Sequence, residues 1–158
     1  MRNIRKLGIL IVIGFISISF LGGCAPTKFN VIPEKAAITP ALIKQPIKFV
    51  GVGFQPNEPV SIEMIVPKDM KIKGQSEDCD RVGIAVAVAD NKGNFEVAMG
   101  ALTTLNTLFQ VGWTPTLTPD FKKATPLPPG KYVIVATGIE SDKVAKNVLE
   151  FVPPPKKK

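Results

Sequence analysis

Histidine is absent from all 158 residues. That excludes the Ser-His-Asp and Cys-His arrangements and every metal site that needs an imidazole. Cysteine is scarce, with Cys24 and Cys79 alone. Two thiols cannot build a zinc site by themselves, and one disulfide is the most they can form. If Cys24 is used otherwise, Cys79 is left over. Tryptophan and tyrosine occur once each, as Trp113 and Tyr132. Net charge is also scarce where it would matter. The formal total is +7, from 20 Lys and Arg against 13 Asp and Glu. Arg2, Arg5 and Lys6 precede an apolar run, and Lys156, Lys157 and Lys158 form the last three positions. The body between them is nearly neutral, so the basic pI is poor evidence for nucleic-acid binding, which wants a basic face on the domain itself.

What remains offers little catalytic chemistry. Asp and Glu are present, but no spacing selects a pair for glycoside hydrolysis. Glu77, Asp78 and Asp80 gather in "SEDCD", yet match no calcium-loop spacing and read as solvated loop charge. Their negative charge disfavours the Cys79 thiolate, making it a poor nucleophile. The expectation is a non-enzyme with no cofactor and no metal.

The amino-terminal segment is more informative. "MRNIRK" is basic, and Leu7 to Leu21 is an uncharged, mostly apolar run of 15 residues. A spanning helix needs about 20 apolar residues, so the run suits a secretory signal better than a stable span. It closes on Leu21-Gly22-Gly23-Cys24, which resembles the lipobox of bacterial lipoproteins. Gly22 and Gly23 are small enough to sit beside a scissile bond, and a thiol can take up a lipid group. The resemblance implies a signal peptide over residues 1–23, cleaved before an acylated Cys24. Several acyl chains anchor firmly, at about 0.8 kcal/mol per buried CH2. It also implies a cell-envelope location, lipid-anchored outside the cytoplasmic membrane or in the outer membrane. Ala25, where an Asp would favour inner-membrane retention, leans towards the outer membrane in an organism that has one.

Residues 24–46 are broken by Pro26, Pro33, Pro40 and Pro46. They read as a tether with short edge strands at Phe29–Ile32 and Ala37–Thr39, since proline is confined to edges. Ile47–Gly53 is apolar and β-rich. In Val60–Val66 the residues Val60, Ile62, Met64 and Val66 share one face of a half-buried strand. Pro67 to Asp80 reads as an exposed loop. Val82, Ile84, Val86 and Val88 alternate, "ADNKGN" supplies turn residues, and Phe95 and Val97 return, which together predict a hairpin. Leu102, Leu105, Leu108 and Phe109 recur at helical spacing and predict one short helix over Leu102–Gln110. Residues 114–130 hold Pro115, Pro119, Pro126, Pro128 and Pro129 and predict a long loop without helix. Lys131–Ile139 and Val144–Val152 are the last strands, and 153–158 a Pro/Lys tail. About seven strands without βαβ alternation predict a mostly β protein, an antiparallel sandwich over 47–152 with the helix inserted near 102–110.

Three stretches carry a resemblance to the immunoglobulin-like modules of bacterial surface proteins. They are "GVGFQPNEPVSIEM", "VADNKGNFEV" and "PLPPGKYVIVATG", within Ile47 to Val152. The resemblance implies an immunoglobulin-like β-sandwich in which Gly53 and Phe54 turn a corner, Gly93 takes the hairpin turn, and the Tyr132 hydroxyl meets backbone as a tyrosine corner. None of these residues is catalytic in that family. The insertion at 100–129 departs from the usual module, and loops on a rigid sandwich often carry function. Trp113, Phe109 and Phe121 are therefore the candidate contact residues. The expected partners are membrane lipid through Cys24, and an envelope protein or a glycan.

Overall fold

The computed structural model describes residues 26–76 and 79–155. The signal peptide, Cys24, Glu77, Asp78 and the lysines at 156–158 lie outside the described residues. Among the described residues no helix is long and apolar enough to cross a membrane. The protein is mostly β, with two main sheets and a small third one. The first sheet has the order β1-β3-β6, from β1 (Lys28–Ile32), β3 (Lys48–Val52) and β6 (Phe95–Ala98). The second has the order β2-β10-β9-β4-β5, from β2 (Lys35–Ala37), β4 (Pro59–Ile65), β5 (Arg81–Val88), β9 (Gly130–Gly138) and β10 (Val144–Val152). β7 (Gly112–Trp113) and β8 (Pro119–Asp120) pair by themselves.

One hydrophobic core joins the two main sheets. Period-two alternation drives it: Val60, Ile62 and Met64 of β4 are all fully buried. Against them β1, β3, the turn after β3, and β6 bring Phe29, Phe49, Phe54 and Phe95 in that order, with Phe54 and Phe95 centred 5.2 Å apart in a tilted pair. The stretch before β3 supplies one edge strand to each main sheet, β1 and β2, followed by a helical turn at Ala41–Lys44.

Several expectations need correction. The strand expected at Ala37–Thr39 is Lys35–Ala37, and it runs parallel to β10, through pairs such as Glu150 with Lys35. The second sheet is therefore not wholly antiparallel. The predicted 82–97 hairpin does not form. β5 pairs with β4, whereas β6 pairs with β3 in the other sheet. The turn between them is as tight as expected: Asp90 Oδ1 accepts from the N–H groups of Lys92 and Asn94, both at 2.8 Å. What diverts the chain is Phe54, whose N–H donates to Gly93 O at 3.0 Å. Gly93 has φ +78°, and a Cβ there would collide with the Phe54 carbonyl. The turn is thus stitched to the opposite sheet and carries β6 across.

The helix is also different. Ala101–Thr103 is α-helical, but Thr104–Leu108 winds as a π-turn. Phe109 N–H reaches Thr104 O, and Val111 N–H reaches Leu105 O. Thr103, Thr104 and Thr107 are β-branched and tighten poorly into a helix, and Thr104 Oγ1 donates back to Gly100 O at 3.0 Å. The wider winding buries Leu105, Leu108 and Phe109 together while Leu102 stays exposed. Likewise the 114–130 loop is not free of helix, since Phe121–Lys123 forms a single 3-10 turn capped by Asp120 Oδ1 on Lys122 N–H. The 67–80 loop is not wholly exposed either, because Ile72 is buried.

The strand directions set two ends. Lys28, Val52, Phe95, Pro59, Gly138 and Val144 mark one, tied together by Lys143 Nζ donating to Gly53 O at 2.7 Å. The chain enters its first strand there. Ile32, Ala98, Ile65, Arg81 and Gly130 mark the other. The nine residues of β9 separate the ends by about 25 Å. Residues 67–76, the 100–129 insertion and the exit from β10 all lie at the end opposite the chain's entry.

Candidate functional site

The far end is built from two segments clamped together. Gln110 sits at φ +47° and is buried, and its Oε1 accepts the N–H of Lys73 at 2.8 Å. Leu127 N–H donates to Leu108 O at 2.9 Å, which pulls the proline-rich return under the π-turn. Tyr132, at the base, is buried. Its hydroxyl donates to Pro128 O at 2.8 Å, and its ring stands edge-on to Phe151 at 5.3 Å. The hydroxyl meets backbone as expected, and burial pushes its pKa above the ordinary value. Between the two segments lies a groove of about 710 Å³, whose walls include Met70, Ile72, Lys73, Gln110, Lys123 and Pro126. Cys79 also lines it, with its thiol donating to Arg81 O. Lys123 pairs loosely with Asp120 at 3.9 Å. Among the described residues no group of His, Cys, Asp and Glu could hold a metal ion.

The three candidate contact residues separate by burial. Trp113 is 39% exposed, and its indole N–H is held by Asn106 Oδ1 at 2.9 Å. Phe121 is 48% exposed and stands edge-on over Phe109 with ring centroids 6.0 Å apart. Phe109 itself is buried and reaches no partner directly. It is the floor on which Phe121 rests.

Leu117 was missed by the sequence reading. It is 79% exposed at φ +56°, at the tip of the β7–β8 turn. A bulky residue in the left-handed region is uncommon and strained. Thr114 holds it there, accepting Leu117 N–H through its carbonyl at 2.9 Å and Thr118 N–H through Oγ1 at 3.1 Å. The alternation Thr116-Leu117-Thr118 between two prolines looked like featureless loop. No family model matches the chain, and no curated protein matches it. The functional reading therefore rests on the molecule's own geometry.

Glu58 was also unmarked as a special residue. Its carboxylate is fully buried at the entry end. It accepts from Gln55 N–H, Glu140 N–H, Ser141 N–H and Ser141 Oγ, the last at 2.8 Å. Burial pushes its pKa up, but the four donors outweigh it and hold the carboxyl below its ordinary value of 4.5. Every oxygen is committed to structure, so this carboxylate ties loops together and offers nothing to a substrate.

Proposed function

We propose that this chain is a non-catalytic envelope lipoprotein, anchored through an acylated Cys24, whose immunoglobulin-like body presents residues 100–129 to a protein partner. The single observation that carries the reading is the opposition of the two ends. Lys28 is four residues past Cys24, within about 14 Å of it even at full extension. A lipid at Cys24 therefore holds the Lys28 end against the bilayer, and the insertion faces away from it. Leu102, Trp113, Leu117 and Phe121 are the large apolar side chains exposed there. Aromatic anchors of this kind dominate protein interfaces. The immunoglobulin-like assignment is supported by two sheets around one core and by the Tyr132–Pro128 corner.

The test is crosslinking of the full-length lipidated protein in its own membranes, with mass spectrometry of what is captured. One dominant protein, linked through 100–129 and lost in a Trp113→Ser/Leu117→Asn/Phe121→Ser variant, supports the reading. Capture that is indifferent to the variant overturns it. A second reading, binding of carbohydrate or cell-wall polymer, is favoured by the half-exposed indole of Trp113 on its Asn106 hydrogen bond. Glycan titration of the single tryptophan's fluorescence decides that one.

A further inference from the structure

β5 is an edge strand of the five-stranded sheet, and its sequence, RVGIAVAV, contains no proline and only one charge. Native edges are normally blunted by charge, proline, brevity or a β-bulge, and of these β5 has one charge and one bulge. Here Val86 and Val88 are 69% and 66% exposed, and nothing lies within 4 Å of the position a Gly83 Cβ would take.

The hydrogen-bond alternation fixes which backbone groups face the open side. Ala89 N–H is bonded to Glu58 O, and Val66 N–H to Asp80 O, so Ala89 and Asp80 face β4. Counting inwards by alternation from both ends leaves Arg81, Gly83, Val86 and Val88 facing outwards. Pro59, which has no N–H to give, stands opposite Val88 in agreement. A bulge beside Ile62 and Glu63 puts one extra residue into β5, so the outward spacing runs two, three, two. That spacing reads the same in both directions.

We propose that β5 is a self-pairing surface: two copies of the chain join β5 to β5 antiparallel about a two-fold axis between Ile84 and Ala85. One register maps the outward groups onto themselves, Arg81 opposite Val88 and Gly83 opposite Val86. Registers shifted by one residue set inward side chains against outward ones. The chosen register offers four pairs at about two hydrogen bonds each. It also brings each Arg81 diagonally beside the partner's Asp90, two residues beyond Val88, so opposite charges meet at both rims. Both residues are exposed, with Arg81 already 3.4 Å from Glu63 and Asp90 Oδ1 already holding the Lys92 and Asn94 N–H groups, so the cross-rim contact adds to these pairs. The two Cys79 thiols stand at opposite ends of the joined strands, so no disulfide takes part.

The full-length protein in detergent, with reductant present, is expected to show a concentration-dependent dimer by light scattering. Val86→Pro removes an N–H that only the open edge uses, and should raise the dissociation constant at least about tenfold. Arg81→Glu, which sets like charges at both rims, should weaken the dimer without touching the backbone. Co-expressed Gly83→Cys and Val86→Cys chains should form a mixed disulfide in a Cys79→Ser background, and Val86→Cys with Val88→Cys should not. A monomer at every concentration overturns the proposal. So does a dimer that ignores both substitutions and lacks the 83–86 link, or one that pairs β5 with a different protein.

Discussion

Gly138 faces the carboxylate of Glu58 so closely that a Cβ there would sit 2.5 Å from Oε1 and 2.6 Å from Oε2. The carboxylate cannot retreat, because Gln55, Glu140 and Ser141 hold it from three sides. Gly138→Ala should therefore destabilise the protein by about 1–3 kcal/mol, the usual cost of overpacking. Thermal unfolding checks this, and an unchanged midpoint would mean that the loop at 139–142 yields.

The same carboxylate predicts a pH dependence. Its folded pKa is depressed, so its contribution is present above the unfolded value near 4.5 and is lost as pH falls through the folded value. Glu58→Gln leaves buried N–H donors facing an amide N–H and should cost about 1–3 kcal/mol at neutral pH. The gap to wild type should close as pH falls through that depressed folded value. Urea unfolding at neutral pH and through the acid range tests the sign.

Tyr132→Phe removes the hydroxyl that donates to Pro128 O while keeping the ring against Phe151. The expected loss is about 0.5–1.5 kcal/mol. Hydrogen exchange should rise at Leu127, whose N–H depends on the same return of the chain.

Leu117→Asn separates folding from function. Asparagine tolerates positive φ better than leucine, so stability should hold or rise by up to about 1 kcal/mol. Partner capture through the insertion should nevertheless fall. A variant that loses neither stability nor capture would remove Leu117 from the contact region.

Legibility in the sequence followed range. β4, β9 and β10 announce themselves because each is a run of seven to nine residues rich in β-branched and aromatic side chains, β4 in clean alternation. The Asp90–Asn94 turn was readable too, being closed by its own side chain. Which strand each arm of that turn joins was not readable. Phe54 decides it, from some forty residues away, by seating on Gly93.

The candidate site divides in the same way. The proline-rich interruption at 114–130 and the aromatic residues Phe109, Trp113 and Phe121 were visible in the sequence, and so was Tyr132 as a corner. Burial of Phe109, exposure of Leu117 and the clamp from Gln110 to Lys73 depend on where the π-turn and the 67–76 loop meet.

By itself, the sequence determined the β-rich class, the turn chemistry and the scarcity of catalytic groups, because each rests on composition or on residues adjacent along the chain. Only the tertiary structure decided the strand order, the parallel β2 and the opposition of the two ends. Those follow from contacts between residues far apart in sequence, where packing and backbone hydrogen bonding choose among partners that local pattern leaves equivalent.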